Sequence, residues 1–200
     1  MNINELAKDI HMNAVAHGFW EEEPDEGTQY ALIHSEWSEA LQEARAGRPL
    51  VYRMCTDCKL GPCGVEPKSI KRCRYSDEGR KPEGTAVELI DGVLRILDWF
   101  AHDGVRIQVN TGTDRTEEFE SIADRGAETG LWIPPDAPTM ITCLHSLTST
   151  AWQEDDRFAL VNAARMALNW IRMQGIDPLE VLMAKHEYNT TREYRHGKRF

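Results

Sequence analysis

Two pairs of acidic residues in this chain have a spacing that suits chemistry at a metal ion. Glu36 and Glu39 form one pair, and Glu88 and Asp91 form the other. Residues three apart on an α-helix lie on the same face, so each pair would direct both carboxylates to one side. Two such helices packed face to face would bring four carboxylates into one space. The plain alternative is a solvated helix face.

Four converging carboxylates supply only oxygen ligands. That donor set suits a hard cation, Mg²⁺ or Mn²⁺, better than zinc. Such an ion lowers the pKa of a bound water and screens the charge of a polyphosphate, as the hydrolysis of a nucleotide anhydride requires. A di-iron carboxylate bundle is the rival metal centre. It needs Glu-x-x-His pairs, however, and neither acidic helix has one.

Helical periodicity accounts for most of the chain, because apolar residues recur at spacings of three and four. Helices are predicted over residues 4–17, 28–46, 83–103 and 157–174. Pro82 is expected to open the third of these, while Pro138 and Asp177-Pro178 are expected to open two more. Strand patterns are scarce. We therefore expect an all-α fold that forms one domain over residues 1–200.

An internal repeat links the two halves of the chain. Residues 32–43 and 143–154 are identical at six of twelve positions, and residues 88–104 and 159–175 share two leucines, a tryptophan and a glycine. The repeat predicts a helical bundle built from two duplicated helical hairpins, of which residues 138–176 form the second. Chance similarity between amphipathic helices is the alternative.

The second copy of the repeat lacks the acids of the first. Leu147 and Thr150 replace Glu36 and Glu39, and Ala159 and Asn162 replace Glu88 and Asp91. A solvated face has no need to lose all its acids together, whereas a metal site abandoned in one copy would lose its ligands as a set. This difference between the copies favours the metal site over the solvated face.

Two aromatic positions also match between the copies. His34 corresponds to His145, and Trp99 corresponds to Trp170. One member of each pair lies in the copy without acids, so we expect structural roles for them. Nucleobase stacking by Trp99 is the alternative.

A cysteine-rich insertion, residues 47–82, separates the two helices of the first hairpin. It holds four of the five cysteines, Cys55, Cys58, Cys63 and Cys73. Glycine and proline between them would let the chain wrap four thiolates around a structural Zn²⁺. An iron–sulfur cluster and free or redox-active thiols are the alternatives.

Composition sets the remaining limits. The formal net charge of -10 argues against nucleic-acid binding by the surface as a whole, although the basic end of the chain would suit a phosphate. No apolar run approaches the roughly 20 residues of a membrane span, and the N-terminus lacks the apolar block of a signal peptide. We therefore expect a cytoplasmic protein that contacts no membrane.

Three segments together resemble one family of enzymes. They are "HSEWSEALQEARAG", "KPEGTAVELIDGVLRILD" and the closing "KHEYNTTREYRHGKRF". In this order they are similar to the all-α nucleoside triphosphate pyrophosphohydrolases, MazG-like proteins related to the dimeric dUTPases. The chain departs from that family in two places. Lys198 stands where the family's tail usually has a second glycine, and the cysteine-rich insertion is not part of the common pattern.

The resemblance implies a Mg²⁺-dependent attack of water on the α-phosphate of a nucleoside triphosphate, releasing a monophosphate and pyrophosphate. It implies that the four acids are the metal ligands. It also implies that Lys185, Asn189 and Arg192 contact the nucleotide or its phosphates, with Lys198 as a weaker candidate. Family members assemble as dimers or tetramers, so the second hairpin is expected to act as a built-in partner, and a homodimer stays open. A helical module that binds a nucleotide or partner without turnover is the alternative function.

Overall fold

The structure, a computed structural model, describes residues 1–54, 81–110, 115–119 and 132–194. This part of the chain contains six helices: α1 (Ile3–Ala16), α2 (Glu26–Arg45), α3 (Thr85–His102), α4 (Ala137–Glu154), α5 (Arg157–Met173) and α6 (Pro178–Thr190). Two short antiparallel pairs accompany them: β1 (Tyr52–Arg53) with β2 (Pro82–Glu83), and β3 (Val109–Asn110) with β4 (Arg115–Thr116). The prediction of a mostly helical fold is confirmed. Within the described ranges, no helix combines the length and apolar character needed to cross a bilayer.

Helix α3 lies at the centre of the bundle. Thirteen of its 18 residues are buried, and it packs against α1, α2, α5 and α6. Five polar residues of α3 recur at spacings of three and four and form a polar stripe: Glu88, Asp91, Arg95, Asp98 and His102. The burial follows from composition, since nearly every position outside this stripe is apolar. Residues from all six helices join one continuous apolar core. The acids of α3 are therefore carried by the most enclosed of the six described helices.

The start of α3 corrects one prediction. Pro82 does not open the helix; it lies in β2, opposite Arg53. The helix begins at Thr85 after Gly84, whose φ of 116° takes the chain out of the strand. A Cβ on Gly84 would lie 2.5 Å from the Leu50 carbonyl oxygen, so only glycine fits this close approach. The short strand pair therefore fixes where α3 starts.

Helix α2 packs against both α3 and α4. The Trp37 ring of α2 lies so close to Gly92 of α3 that a Cβ there would be 2.2 Å from a ring carbon. On the α4 side, the Trp37 indole N–H donates to Thr148 Oγ1 at 3.0 Å. Nearby, His34 Nδ1 and His145 Nδ1 lie 2.8 Å apart in stacked rings. This contact between the two helices agrees with the structural roles expected for the two histidines.

Aspartate side chains cap four of the described helices, and at the start of α5 Asp156 accepts the Phe158 N–H. Asp25 accepts the Thr28 N–H at the start of α2, Asp136 accepts the Thr139 N–H at the start of α4, and Asp177 accepts the Leu179 N–H at the start of α6. A side-chain oxygen at the N-cap satisfies a backbone donor that has no partner within the helix. The proline signals for α4 and α6 are confirmed within one residue.

Candidate metal and nucleotide site

Three of the four predicted carboxylates meet between α2 and α3. Glu36, Glu88 and Asp91 each offer one oxygen atom, and these atoms lie within 4.8 Å of one another. Glu36 is only 6% exposed and Glu88 only 2% exposed. Asp91 is half-buried. Three carboxylates this close, two of them buried, repel one another unless cations or protons compensate them. The solvated-face alternative therefore does not describe these residues.

Two of the three carboxylates have a cationic partner. Arg95 Nε donates to Glu36 Oε1 at 2.7 Å, and Lys185 Nζ lies 2.5 Å from Asp91 Oδ2. Burial, with the Asp91 carboxylate adding to it, raises the pKa of Glu36 in spite of Arg95. The cluster is thus only partly neutralised by side chains.

Glu88 is compensated in a different way. Its Oε2 atom is buried and has no hydrogen-bond partner among the residues that the structure describes. Burial and the neighbouring Asp91 carboxylate raise the pKa of Glu88 to about 9. The carboxyl is therefore protonated near neutral pH when no other cation is bound.

A divalent ion fits this cluster by two criteria. The donors are all carboxylate oxygens, which Mg²⁺ and Mn²⁺ prefer. A buried oxygen without a partner, Glu88 Oε2, is a group for which native structures normally provide a ligand or a hydrogen bond. The residues that would hold the ion are Glu36, Glu88 and Asp91.

Two members of the cluster, Glu36 and Asp91, line a cavity of about 440 Å³. Glu39 lines this cavity one turn after Glu36, but it is not one of the three closely grouped acids. Its Oε1 atom accepts the Ser35 hydroxyl at 3.4 Å. Glu39 therefore lies at the site but outside the close group of three acids. The sequence suggests that both acidic pairs would contribute equally, because their spacing is the same.

The residues predicted to contact a nucleotide line the same cavity. Three of them, Lys185, Asn189 and Arg192, come from α6 and the residues just after it. Lys81, which immediately precedes β2, also lines the cavity. Asn189 Oδ1 is buried without a hydrogen-bond partner among the described residues. Cations and an amide thus face the same space as the acids, as a metal-bound polyphosphate would need. Lys198 lies outside the described residues.

An aromatic wall of the cavity was not predicted. Phe19 and Trp20, in the loop after α1, line it together with Asp98 of α3. The Trp20 indole N–H donates to Asp98 Oδ1 at 3.0 Å, and His11 Nδ1 lies 2.7 Å from the same oxygen. Burial raises the pKa of Asp98 in spite of these two bonds. In the sequence, the one indication that Asp98 lies at the site is its position on the polar stripe of α3.

The other residues singled out in the sequence lie away from this cavity or outside the described residues. Trp99 is buried in the core, where its ring contacts Tyr30 and the Arg157 guanidinium, and it does not line the cavity. This agrees with helix packing rather than base stacking. The four cysteines, Cys55, Cys58, Cys63 and Cys73, lie outside the described residues, so their zinc site stays a prediction.

A comparison with known proteins identifies no relative of this chain. No protein-family model, curated protein or solved structure matches the chain.

Proposed function

We propose that the chain is a nucleoside triphosphate pyrophosphohydrolase that uses Mg²⁺ or Mn²⁺. One observation carries the proposal: of three closely grouped carboxylates, Glu36 and Asp91 line a cavity that Lys185, Asn189 and Arg192 also line. Acids alone would suit many cations, and basic residues alone would suit many anions. Their combination in one cavity suits a polyphosphate whose charge is shared between an ion and side chains.

In this proposal each group has a defined task. Glu36, Glu88 and Asp91 hold the ion, and Glu39 completes its ligand set from the adjoining turn of α2. When bound, the ion supplies an activated water and screens the phosphate charge. Arg192 and Lys185 bind phosphate oxygens, and the Asn189 amide contacts the nucleotide. Arg95 holds Glu36 in place through the 2.7 Å bond and so orients the ligand.

The second hairpin takes the place of a partner subunit in this proposal. In a symmetric dimer, residues near the two-fold axis contact their own counterparts in the other subunit. Positions matched by the internal repeat do this within the chain: His34 contacts His145, and Trp37 contacts Thr148. These contacts support a degenerate copy packed against the active one, with one site per chain.

Release of pyrophosphate tests the proposal. Purified protein with Mg²⁺ or Mn²⁺ and a panel of canonical and modified nucleoside triphosphates should give a monophosphate and pyrophosphate. Asp91→Asn should lower kcat by about 10²- to 10³-fold, because it removes a ligand that acts in the transition state. Asn162→Ala, at the matching position of the second hairpin, is the control and should keep the activity.

Two results would contradict the proposal. The first is the absence of turnover for every triphosphate tested with either ion. The second is equal activity of Asp91→Asn and the wild type. Tight nucleotide binding without turnover would instead favour the alternative, a binding module.

A further inference from the structure

Lys185 is the most deeply buried charged side chain at the site. Its side chain is 1% exposed, and its ammonium lies 2.5 Å from Asp91 Oδ2. An ammonium can donate three hydrogen bonds, yet Nζ has no partner with hydrogen-bond geometry among the described residues. Burying a charge this poorly satisfied costs free energy, and the ion pair with Asp91 offsets part of that cost.

A divalent ion at the three carboxylates would need the same Asp91 group. The two oxygens of one carboxylate are close together, so an ion on Asp91 and the Lys185 ammonium would lie within about 5 Å of each other. Two cations at that distance repel strongly in a poorly hydrated site. The ammonium and the ion are therefore competitors for one half-buried carboxylate.

An alternative acceptor for Lys185 exists one helical turn away. Asn189 lies four residues later on α6, on the same face as Lys185, and both residues line the cavity. Asn189 Oδ1 is a buried acceptor without a donor among the described residues. Among the described residues, a donor without an acceptor and an acceptor without a donor thus belong to side chains one helical turn apart on the same face of α6.

We propose that Lys185 is an exchangeable counter-ion of the metal site. It neutralises Asp91 when no divalent ion is bound, and it moves toward Asn189 and the cavity when the ion binds. The displaced ammonium is then available to phosphate oxygens, so metal binding prepares the site for the polyphosphate. This inference rests on the proposed function, and it adds the regulation of metal binding by a residue of the chain itself.

Mn²⁺ binding in the absence of nucleotide tests the exchange. Free and bound Mn²⁺ are measured by electron paramagnetic resonance for the wild type, Lys185→Met and Lys81→Met. Lys185→Met should bind Mn²⁺ about tenfold more tightly, because the competing charge is gone. Lys81 lines the same cavity but pairs with Glu83 at 2.8 Å, so Lys81→Met removes an equal charge without freeing Asp91. Its affinity should change by less than about threefold.

The outcomes separate this inference from the proposed function. Equal or weaker Mn²⁺ binding by Lys185→Met would overturn the exchange, and so would an equal gain by Lys81→Met. A wild-type protein that binds no Mn²⁺ at all would overturn the proposed function as well.

A measurement on the wild type covers the case in which Lys185→Met does not fold. Lysine acylation, read by mass spectrometry, reports how accessible each ammonium group is. Adding Mn²⁺ should raise the labelling of Lys185 several-fold while the labelling of Lys81 stays unchanged. Bound metal ordinarily protects the residues around it, so unchanged or reduced labelling of Lys185 would refute the exchange.

Discussion

Glu88 carries its carboxyl group where almost no water reaches it. The side chain projects from the first turn of α3 into the space shared with Glu36 and Asp91. Unlike those two residues, it has no ion-pair partner within 4.0 Å among the described residues. The charged form of Glu88 is therefore favoured only when another cation enters the cluster.

The pH dependence of stability should report this residue. Burial raises the pKa of Glu88 from 4.5 to about 9, so between these values the folded state holds a proton that the unfolded state has lost. The free energy of unfolding should therefore fall as the pH rises through this window. Between pH 6 and pH 9, we expect the free energy of unfolding to decrease by about 1 to 3 kcal/mol less in Glu88→Gln than in the wild type.

Urea unfolding in the presence of a chelator, at a series of pH values, measures this effect. Glu187→Gln, on an exposed part of α6, should keep the wild-type dependence. Parallel curves for the wild type and Glu88→Gln would show that the carboxyl is ionised throughout.

Helices α2 and α3 approach closely enough to bring their acids together because Gly92 has no side chain. The Trp37 ring fills the space where a Cβ would lie, and Gly92 immediately follows the metal-ligand candidate Asp91. The spacing of the carboxylates therefore depends on one residue of α3 that bears no functional group.

We expect Gly92→Ala to destabilise the protein by about 1 to 3 kcal/mol, because the new methyl group overlaps ring carbons within 2.3 Å. Gly27→Ala in the first turn of α2 is the control. Its nearest contact is an Asp25 oxygen at 3.1 Å, and its stability should change by less than about 1 kcal/mol. Urea denaturation measures both variants. If Gly92→Ala were as stable as the wild type, the helices would not be packed in this way.

For the whole molecule, metal binding should appear as thermal stability. A ligand that binds only the folded state at 100 times its Kd adds about 2.7 kcal/mol, which corresponds to roughly 5 to 10 °C in Tm for a chain of this size. Mn²⁺ should therefore raise the Tm of the wild type and of Asn162→Ala, and should leave that of Asp91→Asn nearly unchanged. Calorimetric scans with and without the ion measure the shift. A similar rise in all three proteins would place the bound ion elsewhere.

The sequence predicts the helices and most of the acidic cluster because both depend on short spacings. Glu88 and Asp91 are separated by one helical turn, and the apolar residues of α3 repeat with the same period. The contact of Trp20 with Asp98 is of another kind, because 78 residues separate the two side chains. No local pattern records such a contact, so the aromatic wall of the cavity was missed.

Predictions were less accurate where a tertiary contact decides a local choice. Pro82 has the sequence signal of a helix start, yet pairing with Arg53 places it in a strand. Glu39 has the same spacing from Glu36 as Asp91 has from Glu88, yet only the other three acids meet. A spacing rule gives the face of a helix, whereas the crossing of two helices decides which residues on that face come together.

The contact between α2 and α4 joins two helices of a single polypeptide, so dilution does not separate them. The same surfaces on separate molecules would associate only above some concentration, and each encounter would cost translational and rotational freedom. In this chain the two helices are covalently connected, so their contact does not cost that freedom. The helix that carries Glu36 and Glu39 therefore keeps its support whether the protein is scarce or abundant.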